Sequence, residues 1–278
     1  MQNTEKAYKN LSFLNGPAAR HVRILCEYEE PRARFGHNKV RDTIVVFGSA
    51  RCKPLEWTAA RLDEARIELA SEPAESTRRA SHDRVVVLAE RAVRLSRYYE
   101  AARELSERLT RWSMDRAGRK AYLICTGGGP GIMEAGNRGA ADVPGGRSVG
   151  LGISLPFEEK VNEFVPADLA FEFHYFFMRK YWFAYLAKAM VIFPGGFGTF
   201  DELCEILTLR QTGKIKKPLP MVLFGREYWD EVIDMDAMVR WGTISESDLQ
   251  LVHRSDSVDD AFQYLTRLLE ANEREEAR

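Results

Sequence analysis

The sequence predicts an α/β protein: a Rossmann-like, doubly wound, largely parallel sheet with helices on both faces. Three observations carry this prediction. Short apolar runs alternate along the chain with longer stretches of helical spacing. Several of those runs end in a glycine-rich turn that opens straight into a helix, as ligand loops do in parallel sheets. The stretch from Ala189 to Leu209 combines both features. There an apolar run, Ala189-Met190-Val191-Ile192-Phe193, meets Pro194-Gly195-Gly196-Phe197-Gly198-Thr199-Phe200-Asp201-Glu202 and then residues apolar at helical spacing.

Taken in order, residues 1–40 are polar and mixed, with Pro17 and Pro31, and read as an extension, partly helical and packed on the outside. Residues 43–47 are a continuous β-branched run and the first strand, which stops at Gly48-Ser49-Ala50-Arg51. Residues 55–117 read mostly as helix. Trp57, Ala60, Leu62, Ala65 and Leu69 mark a first segment, broken near Pro73. A second runs from about Asp83 to Arg116 through Leu95, Tyr99, Ala102, Leu105 and Leu109. Residues 85–88 fit a short strand equally well, because periodicity does not separate the two over so short a run. Gly118 is placed to end this helix. Residues 121–125 form the next strand and open into Thr126-Gly127-Gly128-Gly129-Pro130-Gly131, where a helix starts. Residues 148–153 are a third strand, and 161–165 fit a short edge strand.

Residues 171–183 are unusually aromatic and contain Met178-Arg179-Lys180. Aromatic stripes at helical spacing belong to a core or a subunit interface more often than to a ligand site, but charged pairs are rarely buried without partners. Residues 219–224 read as the last strand, closed by Gly225. The tail from Tyr228 is helical, with Gly242 as a cap, and frays from Glu270. No linker or repeat interrupts the chain. Residues 1–278 are therefore read as a single domain: the 1–40 extension, a 41–265 core with a helical insert at about 55–117, and a 266–278 tail.

Composition excludes several classes. A net charge of −1 makes no bulk electrostatic case for nucleic acid or membrane. The arginines of 78–119 alternate with acids and aliphatics, as on a solvated helix face. Cys26, Cys52, Cys125 and Cys204 form no C-x-x-C pair and suggest neither zinc nor a disulfide framework; Cys125 and Cys204 fall in apolar runs and read as buried thiols. No stretch reaches the ~18 apolar residues of a membrane span. The first residues carry no signal-peptide core, so the expected location is the cytoplasm.

The glycine turns carry the chemistry. A strand–glycine–helix turn aims backbone N–H groups at an anion, most often a phosphate. Residues 127–131 lack the spacing of the dinucleotide fingerprint, and no Gly-Lys-Ser/Thr follows as in a Walker loop. One such loop also fits a turn needed only for packing. Two of them, with a third at Gly48-Ser49, favour phosphate binding. Thr199-x-x-Glu202 fits a capping box as well as it fits a catalytic acid or base. Arg179 also fits a structural ion pair with a helix acid. His174 reads as a partly buried, satisfied histidine with no chemical role.

Pro-Gly-Gly-x-Gly-Thr-x-x-Glu at 194–202 resembles the signature of the LOG ("lonely guy") family, nucleoside 5′-monophosphate phosphoribohydrolases long mislabelled lysine decarboxylases. Phe47-Gly48-Ser49, the 127–135 loop, the 174–180 segment, Gln211-Thr212-Gly213-Lys214 and Tyr228-Trp229 are similar to the family too, so the likeness spans roughly 40–265. It implies Arg179 and Glu202 as the catalytic pair. It also implies a substrate site of Gly48, Ser49, Gly128, Gly129, Gly131, Met178, Lys180, Gly195, Gly196, Gly198 and Thr199. Phe176 stands where small plant-type members have methionine, and those members lack the extension and the insert; the chain looks more like the longer bacterial variety.

The activity implied is hydrolysis of the N-glycosidic bond of a nucleoside 5′-monophosphate, AMP or a cytokinin-type N6-substituted AMP, to free base and ribose 5-phosphate. Glu202 would stabilise the oxocarbenium-like transition state and activate water. Arg179 would hold the sugar-phosphate, and the glycines and Thr199 would cradle the phosphate. No cofactor and no metal is implied, and nothing in the sequence argues for pyridoxal phosphate. The assembly expected is a homodimer or a dimer of dimers, with the 171–183 run at a two-fold interface. Two rival readings use the same residues: a nucleotide-binding sensor without turnover, and a structural dimer module with vestigial loops.

Overall fold

The computed structural model describes residues 4–73, 75–116, 121–155 and 161–277. The elements are α1 (Leu11–Asn15), α2 (Arg20–His37), β1 (Asp42–Phe47), α3 (Leu55–Ser71), α4 (Arg79–Met114), β2 (Tyr122–Thr126), α5 (Ile132–Ala141) and β3 (Ser148–Ile153). They continue with β4 (Ala170–Phe173), α6 (Phe176–Leu186), β5 (Ala187–Ile192), α7 (Phe197–Gln211), β6 (Met221–Phe224), α8 (Arg226–Val232), α9 (Met235–Arg240), β7 (His253–Ser255) and α10 (Val258–Glu276). Gly118 lies outside the described residues.

The strands form one seven-stranded sheet in the order β4-β3-β2-β1-β5-β6-β7. Every pairing is parallel. Parallel strands need covered faces, which is why β1 reads as an unbroken apolar run. Its side chains alternate between two cores. Val45 and Phe47 join Trp182, Phe183, Leu203 and Trp229 on one face. Ile44 and Val46 join Tyr99, Leu105, Ile132 and Leu265 on the other. The chain winds outward from β1 to β4, then returns to β5 on the far side of β1. The crevice between β1 and β5 is therefore the topological switch point, where sheets of this kind bind ligands.

Several elements differ from the sequence reading. Residues 161–165 form no strand. Asn162 turns them onto the 127–131 loop, donating its backbone N–H to Gly128 O at 2.7 Å. The edge strand is β4, where Phe171 and Phe173 point inward and Glu172 outward. That two-residue period was hidden inside the aromatic run. Residues 85–88 are helical, within α4. β6 is not the last strand: β7 follows, with the polar sequence His253-Arg254-Ser255, which no hydrophobic pattern reveals.

The region read as an insert at 55–117 is only partly one. Tyr98, Tyr99, Ala102, Leu105 and Leu109 are buried at helical spacing, so the C-terminal half of α4 is the crossover helix between β1 and β2. The extension is not wholly external either, because Phe35 and Val40 belong to the core. The tail does not fray at Glu270. α10 continues to Glu276, with Leu265 and Leu269 buried. Glu273 accepts the Tyr122 hydroxyl at 2.6 Å and pairs with Arg116, and Glu276 pairs with Lys188 at 2.9 Å. Gly242 does cap α9, at φ +70° with Thr243 N–H donating to Met238 O.

Candidate active site

The three glycine loops follow β1, β2 and β5, so all three emerge at the C-terminal edge of the sheet around the switch point. Backbone bonds tie them together. Ser49 N–H donates to Pro194 O at 2.9 Å, and Ile132 N–H donates to Ser49 O at 3.1 Å. Gly131 sits at φ +74°, and a Cβ there would lie 2.3 Å from Ser49 O, so only glycine closes this junction. A Cβ on Gly195 would lie 2.1 Å from Thr199 Oγ1. Gly196 and Gly198 are different: a Cβ on either would meet nothing within 4 Å.

α7 begins at Phe197 with Gly196 as its N-cap and no side-chain cap. Thr199 is therefore the third residue of the helix, not its cap, and the capping-box reading of Thr199 and Glu202 does not hold. Glu202 lies a further turn in. Its residue is 4% exposed, and its Oε1 has no hydrogen-bond partner among the described residues. A carboxylate kept from water resists ionisation. Burial accordingly raises the Glu202 pKa from 4.5 to about 7, even though the nearby Arg179 and Lys180 charges pull it down. Arg179, on the first turns of α6, brings Nη2 to 3.9 Å from Glu202 Oε1. The same guanidinium stands beside the second loop, its Nη1 3.9 Å from where a Gly127 Cβ would be. Loop, arginine and carboxylate are thus neighbours although 75 positions separate Gly127 from Glu202.

The other predicted site residues divide. The Lys180 ammonium is held by Asp201 at 2.8 Å and Glu205 at 2.7 Å, so it joins α6 to α7. Met178 is buried in the core on that face. His174 is exposed, not partly buried, with its ring edge-on to Tyr175. Cys125 is buried as expected, whereas Cys204 is exposed, because it falls on the outer face of α7. The aromatic run splits too. Phe171, Phe173, Trp182 and Phe183 are buried within the subunit, while Phe176 and Phe177 are about half exposed.

Three groups to which the sequence assigned no role support this constellation. Asn162 donates its side-chain N–H groups to Gly128 O (3.0 Å), Gly129 O (3.2 Å) and Asn137 Oδ1 (2.9 Å), bracing the second loop from below. Tyr228 donates its hydroxyl to Gly195 O at 2.5 Å and braces the third. Glu27, on α2, accepts the backbone N–H groups of His174 (2.8 Å) and Tyr175 (3.2 Å), which lead into α6 and Arg179. Polar residues in loops or in a mixed extension carry no periodic signal. Tyr228 fell within a stretch already noted and Asn162 within the segment read as an edge strand, but the sequence assigned neither a role at the site.

Among known proteins, the family model described as "possible lysine decarboxylase" matches residues 133–265. The chain is 28% identical over 171 residues to cytokinin riboside 5′-monophosphate phosphoribohydrolase LOG2 of Arabidopsis thaliana, covering 60% of this chain and 75% of that one. It is 31% identical to the enzyme LOG of Oryza sativa, covering 57% of this chain and 62% of the rice protein. It is 30% identical to LOG4 of Arabidopsis thaliana, covering 56% of this chain and 69% of that protein. The chain belongs to the LOG family. The matched segment begins inside α5, so α1 to α4, β1, β2 and the first two glycine loops lie before it. A solved structure described as the molybdenum cofactor binding protein of Rippkaea orientalis superposes with a TM-score of 0.39 at 15% identity, covering 61% of this chain and 88% of that one. Among the described residues, no group of three or more His, Cys, Asp or Glu is placed to hold a metal ion, and no helix is long and apolar enough to cross a membrane.

Proposed function

We propose that this LOG-family chain hydrolyses the N-glycosidic bond of a nucleoside 5′-monophosphate, releasing the free base and ribose 5-phosphate. The observation that carries the proposal is Glu202: a carboxylate 4% exposed, beside Arg179, directly behind the Pro-Gly-Gly loop. A buried carboxylate with an unsatisfied oxygen is unfavourable for the fold alone, and becomes useful where positive charge develops. In the oxocarbenium-like transition state that charge grows on the ribose. Ionised Glu202 stabilises it and takes a proton from the attacking water. Arg179 orients the sugar-phosphate and holds Glu202 by charge.

The phosphate is assigned to the glycine loops. Among the described residues nothing fills the space above Gly196 and Gly198, which lets an anion approach the bare N–H groups at the start of α7. Gly48, Ser49, Gly128, Gly129, Gly131, Gly195 and Thr199 complete the cradle. The relatives' names supply the substrate class, a riboside 5′-monophosphate. AMP and its N6-substituted cytokinin forms are both candidates under this reading. Incubation with AMP and with adenosine, followed by chromatography for adenine, tests it. AMP is expected to release base and adenosine to be a poor substrate; comparable turnover of the two would remove the phosphate argument.

The assembly proposed is a homodimer. Phe197 is 96% exposed at the start of α7, and Phe176 and Phe177 are half exposed at the start of α6. Large apolar rings around a catalytic mouth are best explained by a second copy that covers them.

A further inference from the structure

A cavity of about 310 Å3 lies between α2 and the C-terminal half of α6. That volume is at the lower end of the range for small-molecule sites, roughly 300–1,000 Å3. It is remote from the glycine loops. Arg41, on its rim, precedes β1, and Gly48 follows β1. A six-residue strand separates them by roughly 20 Å.

Three features of the lining point to one kind of ligand. The first is a set of rings. Tyr28 and Trp182 lie with centroids 5.8 Å apart, and Tyr185 stands edge-on to Trp182 at 5.6 Å. Tyr185 remains 60% exposed, a large ring left uncovered at the mouth. The second is Gly36, in the last turn of α2. It is not in the left-handed region, and a Cβ on it would meet nothing within 4 Å. Neither packing nor backbone geometry requires glycine there, and glycine lowers helix stability. Its effect is to leave the cavity open. The third is charge. Among the described residues Arg41 makes no ion pair or hydrogen bond of its own, and the one ion pair of Arg32 is an exposed contact with Glu29 at 3.3 Å.

We infer that this cavity binds a nucleotide, its base stacked on Tyr185 at the mouth beside Tyr28, with the buried Trp182 as the floor behind them, and its phosphate held by Arg41 and Arg32. Aromatic side chains stack on any base without reading its edge. Guanidinium groups match phosphate oxygens with paired, charge-assisted bonds. The site shares α6 with Arg179 but none of the residues assigned to catalysis, so it stands whether or not the proposed hydrolysis is correct.

The test is calorimetric titration of the full chain with ATP and, separately, with GTP, alongside Gly36→Leu, which fills the cavity, and Arg41→Glu, which reverses the charge at its rim. At least one nucleotide is expected to bind the wild type saturably. Both variants are expected to weaken that binding by about tenfold or more, the effect of one charge-assisted bond, with base release from AMP unchanged. Absence of saturable binding to the wild type overturns the inference. So does wild-type affinity in either variant that folds, since the nucleotide would then sit elsewhere. Arg41→Glu is an exposed change and keeps the test open if Gly36→Leu fails to fold. Sedimentation of the variants covers the remaining case: dissociation of an oligomer with nucleotide binding intact would assign the cavity to a second copy of the chain and also overturn the inference.

Discussion

Replacing Glu202 by glutamine separates catalysis from stability, because the two should change in opposite directions. The wild-type carboxylate has its pKa raised from 4.5 to about 7, with burial as the main cause. Below pH 4.5 the group is protonated in both the folded and the unfolded chain and contributes nothing to pH dependence. Between 4.5 and about 7 the unfolded chain ionises first and holds fewer protons, so stability falls as pH rises. Above about 7 both states are ionised and the full penalty is present. At about 1.4 kcal/mol per pH unit, that penalty is on the order of 3 kcal/mol. Glutamine does not ionise and escapes it.

Urea unfolding at pH 5 and pH 8 should therefore show Glu202→Gln gaining on the wild type by roughly 1–3 kcal/mol more at pH 8 than at pH 5. Turnover of AMP should fall by about 10²–10⁴-fold, the range for losing a general acid or base. In the wild type, kcat/KM should decline as pH falls through about 7, where the carboxylate takes up its proton. An equal stability difference at the two pH values would refute the desolvated carboxylate. Near-normal turnover in a folded Gln variant would move the catalytic assignment elsewhere.

Other consequences can be checked separately. Asn162→Ala removes three side-chain bonds beneath the second glycine loop. It should cost about 1–3 kcal/mol in denaturant unfolding and raise KM for AMP more than it lowers kcat. Glu27→Ala leaves two N–H groups at the entry to α6 without their acceptor. It should lower kcat/KM for AMP through Arg179, whereas Glu27→Gln, which keeps an acceptor, should recover part of the loss. Phe197→Ser should shift a light-scattering mass from dimer towards monomer at micromolar concentration; a monomeric wild type would count against the proposed interface.

Much of the fold was legible because parallel strands covered on both faces must be continuously apolar. β1, β2, β3 and β5 were visible for that reason, and the glycines that follow β1, β2 and β5 marked their C-terminal ends. β7 was not visible. His253, Arg254 and Ser255 form an edge strand held by backbone bonds to β6, and backbone bonds leave no trace in composition. β4 was masked by the aromatics around it, since a two-residue period over four residues is easily absorbed into a helical one. The tail was misread because Glu273 and Glu276 look like a solvated acidic end until Arg116, Tyr122 and Lys188 are brought to them.

The sequence by itself determined the residue types at the candidate site and their order: three glycine turns, one arginine and one glutamate. Those depend on local spacing, which a chain carries in one dimension. Only the tertiary structure decided what each could do. Glu202 is an acid with a raised pKa and not a helix cap, because α7 starts three residues before a capping box would need and because the fold removes the carboxylate from water. Lys180 became a tie between helices and Arg179 the partner of Glu202, because adjacent residues on a helix point in different directions. Asn162 and Glu27 entered the site as supports because long-range packing placed them under a loop and at a helix entrance, and burial and contact of that kind are properties of the folded chain alone.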